Sequence, residues 1–298
     1  MGRPLFFARF PNNAGVESRR TILPPRPGER DTIVDGVRWR SREVEGRGDP
    51  VVFVHGLLAS SATWQDVLGP AAAGRPAIAV DLPGFGFSDR PWPYDYSVGG
   101  ESRALAGYLE ARGIRRAVIV GNSLGGAAAM ALAVERSDLV AGLVLVDPAT
   151  PDVTIPWTIR ALRTRGLGET ALALAARPFV AYGLRHRLYA RGSRVTESVI
   201  DDAWRPLGIP GTQRAALAAI RSNPRDYRGI ETRIRMPTLI VCGGGDRLLS
   251  ASEGERLASR IANAQLTVIP DAGHLPQREC PEAFAATVAG FLNSQRAV

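Results

Sequence analysis

Six short runs rich in apolar residues constrain the fold of this chain more than any other feature of its sequence. They lie at 50–56, 75–84, 117–121, 141–149, 236–246 and 264–273. Apolar runs of this length are typical of strands that are buried on both faces of a parallel sheet. Helical patterns separate several of them, at 100–113, at 124–136 and again from about Pro281. The alternation predicts an α/β fold with a mostly parallel, doubly wound sheet that is covered by helices on both faces.

A turn signal near the start and a strand-free stretch in the middle indicate the domain organisation. Asp35-Gly36 is a dipeptide typical of two-residue hairpin turns, so 31–45 is predicted to form two short antiparallel strands. Residues 150–228 show helical patterns without a convincing strand, although strand-like runs resume after them. We interpret this stretch as an inserted helical cap. The predicted domains are an N-terminal extension at 1–30, a core formed by 31–149 and 229–298, and the cap at 150–228.

The composition is typical of a soluble globular protein. Of 298 residues, 45% are hydrophobic and 22% are charged. No apolar run approaches the roughly 18 residues that a membrane-spanning helix needs, and the apolar stretch at 4–8 is too short for a secretory signal. The two cysteines, Cys242 and Cys280, form no disulfide framework. These features predict a cytoplasmic protein.

The charge is concentrated in the predicted cap. All 37 basic residues of the chain are arginine, and 13 arginines against 6 acidic residues give 148–228 a net charge of +7. The arginines are not interleaved with the aromatic and glycine patterns of nucleic-acid-binding modules, so we expect no nucleic-acid partner. A solvated arginine surface is the simplest interpretation, and contact with an acidic membrane or lipid surface stays open as an alternative.

The sequence GNSLG at 121–125 stands between a strand-like run and a helical pattern. It matches G-x-S-x-G, in which a tight turn from strand to helix exposes a serine hydroxyl at the end of a sheet. The glycines on either side of Ser123 remove side chains that would collide with neighbouring backbone. The helix that starts near Leu124 points its N-terminus toward negative charge that develops beside the serine. Ser123 is therefore the candidate nucleophile.

A serine nucleophile needs a base that takes its proton and an acid that orients the base. Among the three histidines, His55 directly follows an early strand, His186 lies in the helical stretch, and His274 lies in a loop after the last strand. The position of His274 makes it the candidate base, while His55 is interpreted as a structural brace. Asp246 follows the preceding strand and is the candidate acid, with Asp147 one strand earlier as its rival.

These segments resemble those of the α/β-hydrolase family whose members carry a helical cap, over about residues 31–295. The matching segments are HG at 55–56, DLPGFGFSD at 81–89, GNSLGG at 121–126, GGGD at 243–246 and GH at 273–274. The resemblance implies this fold and a catalytic triad of Ser123, Asp246 and His274. It also implies an oxyanion hole formed by the backbone N–H groups of Leu57 and Leu124. The sequence shows no metal cluster or cofactor motif, so neither a metal nor a cofactor is predicted.

The expected reaction is hydrolysis of a carboxylic ester, with a small-molecule ester of short to medium apolar acyl chain as substrate. A serine at position 123 argues against haloalkane dehalogenases and epoxide hydrolases, which resemble this chain but use aspartate there. One alternative is a carbon–carbon bond hydrolase, although such relatives usually carry tryptophan after the catalytic histidine and this chain has Leu275. The other alternative is a non-catalytic small-molecule receptor. The apolar cap residues available to line a pocket are Trp157, Ile159, Leu162, Phe179, Tyr182 and Trp204.

Overall fold

Eight strands form one sheet at the centre of the chain. The structure is a computed structural model that describes residues 24–150, 157–222 and 227–295, with residues 157 and 158 described by their backbone alone. The strands are β1 (Glu29–Val34), β2 (Val37–Val44), β3 (Val51–Val54), β4 (Ala77–Val80), β5 (Ala117–Asn122), β6 (Val140–Val146), β7 (Thr238–Gly243) and β8 (Ala264–Ile269).

The strand order is β1-β2-β4-β3-β5-β6-β7-β8. The two pairings that involve β2 are antiparallel, whereas the five pairings from β4 through β3, β5, β6 and β7 to β8 are parallel. This arrangement confirms the predicted mostly parallel, doubly wound sheet. Because the parallel strands point the same way, the loops after β3, β5, β6, β7 and β8 all emerge at one edge of the sheet.

Helices connect the parallel strands and fill the region between β6 and β7. They are α1 (Leu68–Ala71), α2 (Val98–Ala111), α3 (Leu124–Glu135), α4 (Trp157–Ala161), α5 (Leu167–Ala173), α6 (Arg177–Gly183), α7 (Glu197–Leu207), α8 (Thr212–Arg221), α9 (Ala251–Arg260), α10 (Pro276–Glu279) and α11 (Pro281–Ser294). No helix in the described part of the chain combines the length and apolar character needed to cross a membrane.

The predicted hairpin is present. Asp35 and Gly36 form its two-residue turn with φ angles of 48° and 77°, the left-handed values that such a turn requires. Strand β1 begins at Glu29, so the sheet starts two residues before the predicted start of the core at residue 31. Residues 1–23 of that extension lie outside the described residues.

Both faces of the sheet are covered, as continuous apolar strands require. Strand β3 alternates its side chains between two buried clusters, with Val52 and Val54 in one and Val51 and Phe53 in the other. Helices α2 and α3 contribute to the first cluster, and α11 contributes to the second. Burying one such side chain contributes about 1.5–3 kcal/mol relative to leaving it exposed. The sheet is thereby held rigidly enough to position the loops at its edge.

In the predicted cap, the described residues between 157 and 222 form helices and turns and contain no strand. A small buried cluster holds this region together; its members are Ala181, Leu184, Tyr189, Val195 and Ile200. Leu275, next to the candidate base, packs against that cluster. Phe179 and Tyr182 are 68% and 61% exposed, so these two side chains do not pack the predicted cap onto the core, and their place in a pocket stays a prediction. The assignment of 150–228 as a separate domain stays a prediction.

Candidate active site

Ser123 occupies the junction between β5 and α3. Its φ and ψ angles are 53° and −116°, a conformation that L-residues rarely adopt. Two backbone hydrogen bonds hold the turn against β6: the Ser123 N–H donates to the Val146 carbonyl at 3.0 Å, and the Ala149 N–H donates to the Ser123 carbonyl at 3.0 Å. The hydroxyl therefore stands at the edge where the parallel strands end.

The glycines beside Ser123 allow backbone to approach backbone. A Cβ atom on Gly121 would lie 2.4 Å from the Gly125 carbonyl oxygen. A Cβ atom on Gly125 would lie 2.4 Å from the Val54 carbonyl oxygen and 2.5 Å from that of His55. Real Cβ atoms essentially never come this close to backbone, so both positions require glycine. The G-x-S-x-G pattern is explained by this packing.

His274 and Asp246 form a hydrogen-bonded pair. The distance between His274 Nδ1 and Asp246 Oδ2 is 2.7 Å, and their side chains are 6% and 0% exposed. Asp246 also accepts hydrogen bonds from the N–H groups of Leu248 at 2.7 Å and Leu249 at 3.1 Å. With Nδ1 donating to the carboxylate, Nε2 is the ring nitrogen that can act as a base. The structure thus brings together the predicted base and the predicted acid.

Asn122 links this pair to the serine turn, and sequence reasoning did not single it out. The Asn122 side-chain amide donates to the carbonyl of Val146 at 3.1 Å and to the carbonyl of His274 at 3.2 Å. Asn122 directly precedes Ser123, so its amide ties the backbone of the candidate base to the turn that carries the candidate nucleophile. In the sequence, the only signal was an asparagine at the end of an apolar strand-like run.

Asp147, the rival acid, lies beside Asp246 rather than in its place. Its carboxylate oxygens both lie 3.2 Å from the Gly243 nitrogen, which donates a shared hydrogen bond to them. Asp147 is 1% exposed, and this burial together with the neighbouring Asp246 raises the pKa of the Asp147 carboxyl well above its usual range. The direct hydrogen bond to His274 goes to Asp246.

The loop after β3 carries the predicted oxyanion donor Leu57. His55 braces this loop: its Nδ1 donates to the Gly56 carbonyl at 2.7 Å, and its Nε2 accepts from the Leu82 N–H at 3.0 Å. Burial lowers the pKa of His55, which fits a neutral ring with one donating and one accepting nitrogen. Both ring nitrogens are thereby committed to backbone partners. The loop turns through Leu58, whose φ is 59°.

Leu124, the second predicted oxyanion donor, is the first residue of α3. The N–H groups of a helix's first turn have no acceptor within the helix, so the Leu124 N–H is available to an anion at the helix N-terminus. Leu57 and Leu124 are both half-buried and pack against the same core cluster. The serine turn and the loop after β3 meet closely, because a Cβ atom on Gly56 would lie 3.1 Å from Ser123 Cβ.

The loop that carries His274 is held by residues of the predicted cap. The His274 N–H donates to the carbonyl of Leu188 at 2.7 Å. The Glu279 carboxylate accepts from the N–H of Gly273 at 2.7 Å and from the N–H groups of Ala190 and Arg191 at 3.2 and 3.3 Å. Since residues 188–191 belong to the predicted cap, the position of the candidate base depends on where the cap sits.

Asp147, Asp246 and His274 also bring three potential metal-ligand atoms within 4.8 Å of one another. In this arrangement the nitrogen and oxygen that would bind an ion are already joined by a 2.7 Å hydrogen bond. The Asp246 carboxylate also accepts hydrogen bonds from two backbone N–H groups, whose partial positive charge a cation would repel. The donor set therefore fits a chain of hydrogen bonds better than a metal centre.

Several proteins with similar sequences or folds are named as hydrolases, and they are of more than one kind. A model of the alpha/beta hydrolase family matches residues 51–287. The 2-hydroxymuconate semialdehyde hydrolase of Pseudomonas putida is 32% identical, over 88% of this chain and 93% of that protein. A thermophilic esterase from Thermogutta terrifontis is 27% identical with a TM-score of 0.76, over 90% of this chain and 98% of that one. Haloalkane dehalogenase DbeA from Bradyrhizobium elkani is 26% identical with a TM-score of 0.80, over 90% of this chain and 98% of that one.

Proposed function

Because the chain belongs to the alpha/beta hydrolase family and is therefore a hydrolase, we propose that it cleaves carboxylic esters through an acyl-enzyme intermediate on Ser123. The observation that carries this proposal is the Asp246–His274 pair, tied by Asn122 to the strained turn that presents Ser123. A base oriented by a buried carboxylate, together with a serine held at a tight turn, is what nucleophilic serine chemistry needs.

The proposed acylation step uses each of these groups. Ser123 Oγ forms a bond to the ester carbonyl carbon while its proton passes to His274 Nε2. Asp246 keeps the proton on Nδ1 and stabilises the imidazolium cation. The tetrahedral intermediate then collapses, its carbon–oxygen bond to the alcohol breaks, and the alcohol leaves with the proton from His274. A water molecule repeats the sequence on the acyl-enzyme and releases the carboxylic acid.

The negative oxygen of the intermediate would receive hydrogen bonds from the N–H groups of Leu57 and Leu124. One such donor is worth about 100- to 1000-fold in rate. The proposal is supported by the position of Leu124 at the first turn of α3, where the N-terminal end of the helix favours negative charge. It is also supported by the His55 brace, which fixes the loop that carries Leu57.

The proposed substrates are esters with an apolar acyl group of short to medium length. The side chains of Leu57, Leu58 and Leu124 are half-buried around the serine turn, and Leu275 packs against the cap beside the base. Such an environment favours an apolar group over a charged one.

Carbon–carbon bond hydrolysis is the second candidate, because a relative named 2-hydroxymuconate semialdehyde hydrolase is 32% identical and a meta-cleavage product hydrolase has a similar fold with a TM-score of 0.75. Leu275 after the candidate base weighs against it. The same serine, histidine and aspartate would serve either reaction, so only substrates can separate the two.

The test is hydrolysis of p-nitrophenyl esters from acetate to palmitate by the wild type and by Ser123→Ala, with 2-hydroxymuconate semialdehyde assayed in parallel. The proposal predicts turnover of the shorter and middle esters, and a loss of at least about 1000-fold in kcat/KM in Ser123→Ala. Ester turnover unaffected by Ser123→Ala, or cleavage of the semialdehyde alone, would contradict it. Tight retention of a ligand without turnover would favour a receptor.

A further inference from the structure

Two buried carboxyl groups stand side by side behind the His274 ring. Asp147 follows β6 and Asp246 follows β7, so the neighbouring parallel strands deliver both to one edge of the sheet. One carboxyl oxygen of Asp147, one of Asp246 and a ring nitrogen of His274 lie within 4.8 Å of one another. The mechanism described above uses Asp246 and gives Asp147 no task.

The two carboxyl groups differ in their hydrogen-bond donors. Asp246 receives three: His274 Nδ1 and the N–H groups of Leu248 and Leu249. Asp147 receives one, the Gly243 N–H, which its two oxygens share at 3.2 Å. Donors favour the ionised form of a carboxyl, so the negative charge belongs on Asp246. Two adjacent buried carboxylates do not both stay ionised, which leaves the proton on Asp147.

Among the described residues, the cavity beside Asp147 is lined by no arginine that could offset a second anion. The small cavity that Asp147 lines is also lined by Cys242 of β7 and Glu253 of α9. Burial raises the pKa of the Cys242 thiol, and Glu253 accepts from the Ser250 N–H at 3.0 Å. Together with Asp246 and His274, these are the titratable groups near Asp147 in the cavity lining and the carboxyl–histidine cluster, within the part of the chain that the structure describes.

On the basis of the proposed function, we infer that Asp147 is a positioning residue for the base: its carboxyl keeps a proton at neutral pH and donates it as a hydrogen bond to Asp246. The pair then carries one negative charge behind the His274 ring instead of two. The donated hydrogen bond holds Asp246 in the orientation that meets Nδ1 and withdraws part of its charge. Removing the donor would concentrate the charge on Asp246 and favour protonation of the ring.

Asp147→Asn and Asp147→Ala separate this role from simple space filling. The asparagine carbonyl can accept the Gly243 N–H while its amide donates to Asp246, as the protonated carboxyl does. Asparagine also tolerates the φ of 39° at this position. Alanine provides no donor.

The first measurement is the pH profile of kcat/KM for ester hydrolysis by both variants. We expect Asp147→Asn to stay within about threefold of the wild type with the same midpoint of its acidic limb. Asp147→Ala is expected to lose about tenfold or more and to move that midpoint to higher pH. Equal damage in the two variants, or wild-type profiles in both, would overturn the inference. Thermal unfolding of each variant checks that it is folded.

The second measurement needs no substrate, so it stands even if the proposed ester hydrolysis fails. The infrared difference spectrum of wild type minus Asp147→Asn at neutral pH should contain the carbonyl stretch of a protonated carboxylic acid. A carboxylate band in its place would overturn the inference. Glu101→Gln is the matched control, because Glu101 is fully buried, and burial raises the pKa of its carboxyl well above the usual range. That variant should remove its own carboxylic acid band and leave the pH profile of kcat/KM unchanged.

Discussion

The serine turn and the histidine loop meet at one edge of the sheet but are held in different ways. The serine turn, residues 121–126, is fixed by backbone packed against backbone, with Gly125 pressed onto the end of β3. The histidine loop, residues 270–275, is fixed by the Glu279 side chain and by hydrogen bonds to residues 188–191 of the predicted cap. The serine turn is thus held by the central strands, and the histidine loop is held partly by the predicted cap.

This difference predicts that substitutions at the serine turn and at the histidine loop affect stability and activity differently. Steric change at the serine turn cannot be absorbed, because the colliding atoms are backbone of central strands. A change at the histidine loop can be absorbed by movement of residues 188–191, so it should cost less stability than a change at the serine turn and should also lower activity. Arg278 strengthens the same connection, since its guanidinium contacts Asp66 at 2.9 Å and Asp202 of α7 at 3.1 Å.

The largest effect is expected for Gly125→Ala. The added methyl group would lie 2.4 Å from the Val54 carbonyl oxygen, so β3 or α3 must shift. We expect a loss of more than about 3 kcal/mol in the free energy of unfolding, measured by denaturant titration, together with loss of activity. Gly290→Ala in α11 is the matched control, because nothing lies within 4 Å of its added Cβ. It should stabilise the protein by up to about 1 kcal/mol. A well-folded, active Gly125→Ala would show that the turn is less tightly packed than described.

A smaller effect on stability is expected for Glu279→Ala, with a clear effect on activity. The variant removes the acceptor of three backbone N–H groups, two in the predicted cap and one beside His274. We expect a cost on the order of 2 kcal/mol in the free energy of unfolding and a fall of about tenfold in kcat/KM. Glu282→Ala, an exposed position at the start of α11, should change neither. Full activity in Glu279→Ala would mean that the cap does not hold the base in place.

The smallest effect is expected in the pH dependence of stability, through the buried ring of His55. Burial lowers the pKa of His55 in the folded protein, so below about pH 6.5 the unfolded chain binds a proton that the folded protein does not. Stability should therefore fall with falling pH by up to about 1.4 kcal/mol per pH unit from this group, until the folded-state pKa is reached. Above pH 7.5 the group contributes no slope.

His55→Gln removes the contribution of His55 to the change of the free energy of unfolding with pH. The difference in free energy of unfolding between wild type and variant should therefore be larger at pH 8 than at pH 5, as measured by denaturant titration at both. His186→Gln is the control for removing a histidine from an exposed position of the predicted cap. A difference that is constant with pH would contradict a neutral, buried brace at His55.

The sequence was sufficient to predict the structural features that depend on residues close together in the chain. The parallel sheet follows from apolar runs, the hairpin from Asp35-Gly36, and the strained turn at Ser123 from the spacing of its glycines. His274 and Asp246 could be selected because each follows a strand whose end must lie at the same edge of the sheet. These inferences need only local pattern and the rule that parallel strands end together.

What could not be predicted depends on contacts between distant residues. Glu279 reaches Ala190 and Arg191 across nearly ninety positions of sequence, and no local pattern marks such a contact. The sequence presented Asp147 and Asp246 as rivals for one role, whereas their strands are adjacent and the two carboxyls lie together. Phe179 and Tyr182 matched a pocket by residue type, but the helix that carries them turns both side chains to solvent.

The most direct test of the central claim is covalent labelling of the folded protein with a fluorophosphonate, followed by tryptic digestion and mass spectrometry. Cleavage after Arg116 and Arg136 yields the peptide 117–136, in which Ser123 is the sole hydroxyl-bearing residue. We predict one adduct per chain on this peptide in the wild type and none in Ser123→Ala. An unlabelled wild type that is fully folded, or an adduct on another peptide, would contradict an activated serine at this turn.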